Sequence, residues 1–225
     1  MLNSIFSDIP GFILRLIIVL FALTIHEVAH GYAAYKMGDP TAKVFGRLSL
    51  NPLKHLDPIG FLCMLLFRFG WARPVPINTR HFKNPRRGMA ISALAGPFAN
   101  VAMAFLGILV MRIYVAVLTP NFAALDTEFK YNLAVLVLDF FVQFASLNLY
   151  LGLFNLIPVP PLDGSRILFV LLPDKLYFGV MKYERYIQIA ILILLYTGLL
   201  SGPLSVAFNF VYTGMDNLIS LIPGL

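Results

Sequence analysis

Three stretches of this chain, Gly11 to about Tyr35, Gly88 to Leu118 and Tyr131 to about Leu156, are apolar enough and long enough to cross a bilayer. A crossing helix needs ~20 mostly apolar residues. In hydrocarbon every backbone polar group must find a partner inside the protein, so runs of this length fold as helices. Two more runs, Ile187 to Leu200 and Pro203 to Ile222, are split by Ser201-Gly202-Pro203 and predict a tight hairpin or one broken element. Pro58 to Trp71 is apolar but too short to cross, so a re-entrant or half-buried segment is expected there. Proline removes a backbone donor, which places a break at Gly96-Pro97. Hydrophobic residues make up 59% of the chain and charged ones only 12%, so the spans are not a single anchor on a soluble body. One cysteine, Cys63, excludes an internally stapled scaffold, and 20 Phe with 10 Tyr exclude disorder.

The formal net charge of +6 is explained by position. Arg68, Arg73, Arg80, Lys83, Arg86 and Arg87 form a basic block without an acid among them, the usual mark of a cytoplasmic loop rather than of nucleic-acid binding. Lys36, Lys43, Arg47 and Lys54, and further on Arg166, Lys175, Lys182 and Arg185, extend the pattern. Residues 36–87 and 164–185 are therefore expected in the cytoplasm, with the N-terminus and the 119–130 loop outside. Arg112 and Asp139 fall at similar depth on antiparallel spans and predict an intramembrane ion pair, with Arg15 as competing partner. Asp139, Gln143 and Ser146 share a face suited to interhelical hydrogen bonds.

Within the first span lies His26-Glu27-Val28-Ala29-His30. Spacing of i, i+4 sets both imidazoles on one helix face where they can share a metal ion, and Glu27 stands beside them as general base. Two imidazoles and a carboxylate in an apolar span are costly unless they serve a function. Catalytic zinc takes a third protein ligand, and Asp39, Asp57, His55, His81 and Asp163 are the available candidates. Asp163 has the best context, on the proline-broken exit of the third span, which ends on the same side as the second half of the first. Ala42 to Leu50 alternates like a short strand and Arg73 to Asn78 is extended, so a small sheet whose edge accepts a substrate strand is expected.

The stretches from His26 to Ala42, Gly96 to Asn100 (GPFAN) and Asn155 to Gly164 (NLIPVPPLDG) resemble the site-2 protease family of intramembrane zinc metalloproteases, over nearly the whole chain. Asn51 to Gly60 and Trp71 to Asn78 are similar to its compact branch. The resemblance implies a single metalloprotease core over residues 1–225, mainly α, with about five transmembrane helices, a short re-entrant segment and a small membrane-associated β-hairpin or sheet. It implies His26, His30 and Asp163 as ligands of one Zn²⁺, and Glu27 as base. Asn100, Asn155 and His55, with Arg166 behind them, are the candidates for contacting substrate or oxyanion. Substrates would be transmembrane proteins cut within or next to the span, in the cell membrane of a bacterium or archaeon, with lipid as surroundings and no nucleic acid. The 119–130 loop is too short for the PDZ domain that some relatives carry, and the chain stops at Leu225 without a CBS domain, so control is expected from a gate, a regulatory membrane partner or prior trimming. A prenyl-protein protease would want a glutamate third ligand, which has no candidate. A metal transporter or inactive scaffold leaves Glu27 unexplained.

Overall fold

The computed structural model describes residues 9–67 and 70–225. Nine α-helices occur among them: α1 (Ile9–Lys36), α2 (Thr41–Val44), α3 (Pro58–Phe67), α4 (Pro85–Leu118), α5 (Glu128–Asn155), α6 (Asp163–Leu171), α7 (Asp174–Met181), α8 (Glu184–Tyr196) and α9 (Ser201–Ile219). Helices α1, α4 and α5 are long and apolar enough to cross a membrane. Helices α8 and α9 qualify only as a pair, bent by 79° at their junction, where Gly198 takes a positive φ of 75°. Among the described residues the helices long and apolar enough to cross thus number three, or four with the bent pair as one, against the expectation of about five. Neither half of the pair reaches the needed length and hydropathy alone.

Local signals explain the helix starts. The Asn84 side chain accepts from Arg87 N at 3.1 Å, and Pro85 fills the first helical position, where its missing N–H costs nothing. Thr127 caps α5 in the same way through Lys130 N. Helix α4 runs unbroken through Pro97, against the expected break. Packing against neighbours on both sides outweighs the single lost backbone donor. The apolar run from Pro58 does form a short helix, α3, with Ile59 and Leu62 exposed.

Helix α4 is the hub. It packs most extensively on α5, then on α1 and α6. Its buried positions include Gly88, Ala90, Ala93, Gly96, Ala104 and Gly107, and α5 answers with Ala134, Ala145 and Gly152. Small residues let helix backbones approach closely, which is how packing replaces the hydrophobic effect inside a membrane. Large apolar side chains such as Ile13, Ile17, Phe21, Leu106 and Leu133 face outward. Ile108, Ala145 and Ile219 form a second core that docks α9 on α4 and α5, joined by a Tyr150–Phe208 ring stack at 4.2 Å.

Two sequence expectations fail here. Arg112 pairs with Asp216 of α9 rather than with Asp139, through Nε to Oδ1 at 2.7 Å and Nη2 to Oδ2 at 2.5 Å. Similar depth did not decide the pairing; the helix that packs beside Arg112 did. Asp139 accepts instead from Gln143, one turn along its own helix, at 2.6 Å. The expected sheet is also missing: among the described residues there is no strand, only one isolated antiparallel bridge between Leu56 and Ala72. The Asp39 carboxylate accepts from Thr41 N and starts the helical turn α2, and Gly46 at φ 64° ends the apparent alternation. Pro74 and Pro76 have no N–H to offer a ladder.

Candidate metal centre

Helix α1 carries both histidines on its buried face toward α4. His26 Nε2 lies 2.9 Å from His30 Nε2, and Asp163 Oδ2 lies 3.0 Å from the first and 3.1 Å from the second. Among the described residues this is the one cluster of three such groups whose ligand atoms converge. Asp57, offered by the sequence as a third ligand, accepts from Gly60 N instead. Asp39 and His81 pair with each other at 2.9 Å.

Glycines make the approach possible. A Cβ on Gly96 of α4 would collide with His30 Nε2 and crowd His26 Cε1 at 2.8 Å. A Cβ on Gly164 would collide with the carbonyls of Leu156 and Ile157. Its absence lets α6 fold back on the exit of α5, so that Asp163, the first residue of α6, reaches the face of α1.

The far sides of the rings favour one tautomer of each. His26 Nδ1 lies 2.6 Å from Asn100 Oδ1, and His30 Nδ1 lies 2.7 Å from the Ser92 carbonyl. Both partners are acceptors, so each neutral ring carries its proton on Nδ1 and presents a bare lone pair at Nε2. In that tautomer two imidazole lone pairs and a carboxylate oxygen converge, a donor set suited to a divalent cation. Zinc ligands ~2.0–2.1 Å from a tetrahedral ion lie about 3.3 Å apart. The observed triangle is slightly tighter than that, and the residues fit a zinc ion.

The other expected site residues have different places. Asn100 is fully buried, and both its amide hydrogens are occupied, by Ala22 O at 3.2 Å and Asn148 Oδ1 at 2.9 Å. It therefore orients His26 and has no donor left for an oxyanion. Asn148 in turn donates to Phe144 O at 2.9 Å, extending a buried chain from α1 through α4 to α5. The sequence reading missed Asn148, although an asparagine in an apolar span is itself a signal. It also missed Ser92, whose contribution is a carbonyl that no side-chain motif reveals. Asn155 donates to Leu151 O at 2.9 Å on its own helix. His55 is buried and bonds through Nε2 to Ser49 O at 2.8 Å. Arg166 is exposed, with Nη1 against Met89 Sδ. Glu27 accepts from Val75 N at 2.8 Å through Oε2. Val75 lies in the extended segment where a strand was expected, so one donor of that segment serves the motif glutamate.

A family model described as peptidase family M50 matches residues 14–198. The chain belongs to peptidase family M50. It is 40% identical over 219 residues, 97% of this chain and 94% of the relative, to "Putative zinc metalloprotease YwhC" of Bacillus subtilis. It is 31% identical over 163 residues, 70% of this chain and 57% of the relative, to "Putative zinc metalloprotease Rip2" of Mycolicibacterium smegmatis. A third relative, "Zinc metalloprotease MJ0392" of Methanocaldococcus jannaschii, is 28% identical over 222 residues, covering 95% of this chain and 50% of its own. No solved structure matches the chain. The site-2 protease resemblance drawn from the three motifs thus holds, and the converging triad lies inside the matched residues.

Proposed function

We propose that this M50 member is an intramembrane zinc metalloendopeptidase that hydrolyses peptide bonds within or next to the transmembrane segment of membrane-protein substrates. The observation that carries the reading is the triangle of His26 Nε2, His30 Nε2 and Asp163 Oδ2 between helices long enough to cross a membrane. The Lys and Arg distribution supports a multi-pass orientation with the N-terminus outside and the site toward the cytoplasm.

His26, His30 and Asp163 would hold the zinc ion. When bound, zinc supplies Lewis acidity that lowers the pKa of water toward ~7 and polarises the scissile carbonyl. Glu27 is the general base. Val75 N–H fixes its Oε2, and among the described residues Oε1 has no hydrogen-bond partner, so one oxygen is steadied while the other takes the proton and returns it to the leaving amine. Asn100, Asn148 and the Ser92 carbonyl keep the histidines in the tautomer that binds metal. Asn155, at the end of α5 close in sequence to Asp163, is the remaining polar side chain for the substrate backbone. A helical peptide bond is shielded by its own hydrogen bonds, so the substrate unwinds locally before it is cut.

Cleavage of a single-span test peptide in liposomes tests this. Wild type cuts, metal removal abolishes cutting and zinc restores it. Glu27→Gln keeps its zinc but loses about 10²–10⁴ in kcat. Equal cutting by wild type and Glu27→Gln would refute the assignment of the base.

A further inference from the structure

Away from the metal centre, an open cavity of about 470 Å³ lies between the 45–54 loop and the 73–76 segment. Arg47, Lys54 and Arg73 all line it, and among the described residues no carboxylate does. Lys54 and Arg73 are exposed, whereas Arg47 is buried, with Nη2 donating to Arg73 O at 2.6 Å and more weakly to Pro74 O. Arg47 Nε is buried without any hydrogen-bond partner. Burial and the facing Arg73 charge push the Arg47 guanidinium below its ordinary value, against a weaker opposing pull from the Glu27 carboxylate.

The rim of the cavity has the opposite character. Phe45 and Leu53, which line it, are 69% and 76% exposed, and their sequence neighbours Val44 and Leu50 are 77% and 62% exposed. Cations inside and bare apolar side chains around them match the boundary between phosphate headgroups and acyl chains. These residues also belong to the Lys- and Arg-rich stretch expected on the cytoplasmic side, where the leaflet carries anionic lipid.

We propose that this cavity binds the phosphate group of an anionic phospholipid headgroup, held by Arg47, Lys54 and Arg73, with the acyl chains lying over Phe45 and Leu53. The inference needs the membrane setting but not the peptidase chemistry. The site adjoins the catalytic face: Arg47 holds the carbonyls of residues 73 and 74, and the next N–H, that of Val75, is the one Glu27 accepts.

The test is calorimetric titration of the full chain in neutral maltoside micelles with dihexanoyl phosphatidylglycerol, dihexanoyl phosphatidylcholine and inorganic phosphate. Saturable binding of the phosphatidylglycerol is expected, with the phosphatidylcholine at least about tenfold weaker. Lys54→Gln and Arg73→Gln, both at exposed positions, each weaken binding about tenfold, the loss of one charged hydrogen bond. Lys83→Gln, which removes the same charge outside the cavity, leaves it within about twofold. No saturable binding, or an equal loss from Lys83→Gln, would overturn the site. Inorganic phosphate binding as tightly as phosphatidylglycerol would overturn the lipid as its occupant.

Discussion

At His26 the two ring nitrogens serve different partners: Nε2 faces His30 Nε2 and Asp163 Oδ2, and Nδ1 is held by Asn100, which Asn148 holds in turn. Each layer restricts the one before it, so the histidine enters the triangle with its rotamer and tautomer already set. Asn148→Leu removes the outermost link without touching a ligand. It is expected to weaken zinc binding about 10–100-fold, measured by competition with a chelator, while Asn148→Gln recovers part of the loss. A purely structural role would lower the thermal midpoint and leave the zinc affinity of the folded fraction unchanged. Of this layer the sequence showed only Asn100, through the GPFAN stretch. Ser92 contributes a backbone carbonyl, and nothing about its side chain announces that.

Among the elements, the turn after α1 is fastened by one carboxylate. Asp39 is fully buried and accepts from Thr41 N, the Thr41 hydroxyl, Asn78 N and His81 Nδ1. Burial pushes this carboxyl up, and the bonds from Thr41, His81 and Asn78 outweigh it and hold it below the ordinary aspartate value. A carboxylate depressed in the fold gives stability that is complete above its unfolded value and is lost as pH falls through the folded one. The thermal midpoint of the wild type in detergent is therefore expected to fall as pH drops below about 4, more steeply than that of Asp39→Asn. Parallel curves would mean that Asp39 contributes nothing to acid sensitivity. The long helices were legible because an apolar run of that length has one solution in hydrocarbon. The strand over 42–50 was not, because period-2 alternation over nine residues is weak beside the turn in which Asp39 accepts from Thr41 N and a positive-φ Gly46.

Across the whole molecule, α9 is tied to the bundle by the Arg112–Asp216 fork and the Tyr150–Phe208 stack, while α8 departs at a 79° bend. Arg112→Leu strands an aspartate among apolar helices and is expected to destabilise by about 1–3 kcal/mol in denaturant titrations. Adding Asp216→Leu recovers most of it. Additive losses would show that the fork is not coupled. The sequence pointed to an ion pair at Arg112 and missed its partner, because helix adjacency, not depth along a span, selects who meets. The three motifs were more informative: His26, His30 and Asp163 lie 137 residues apart at their extremes, and the fold closes them to within about 3 Å.

That closure is the central claim, and zinc content tests it most directly. Purified wild type and Glu27→Gln are expected to carry about one zinc per chain, because the proposed reading makes Glu27 the base and not a ligand. Asp163→Ala and His30→Ala, folded by circular dichroism, are expected to lose most of it. Undiminished zinc in Asp163→Ala would contradict the assignment of the third ligand and the geometry built on it.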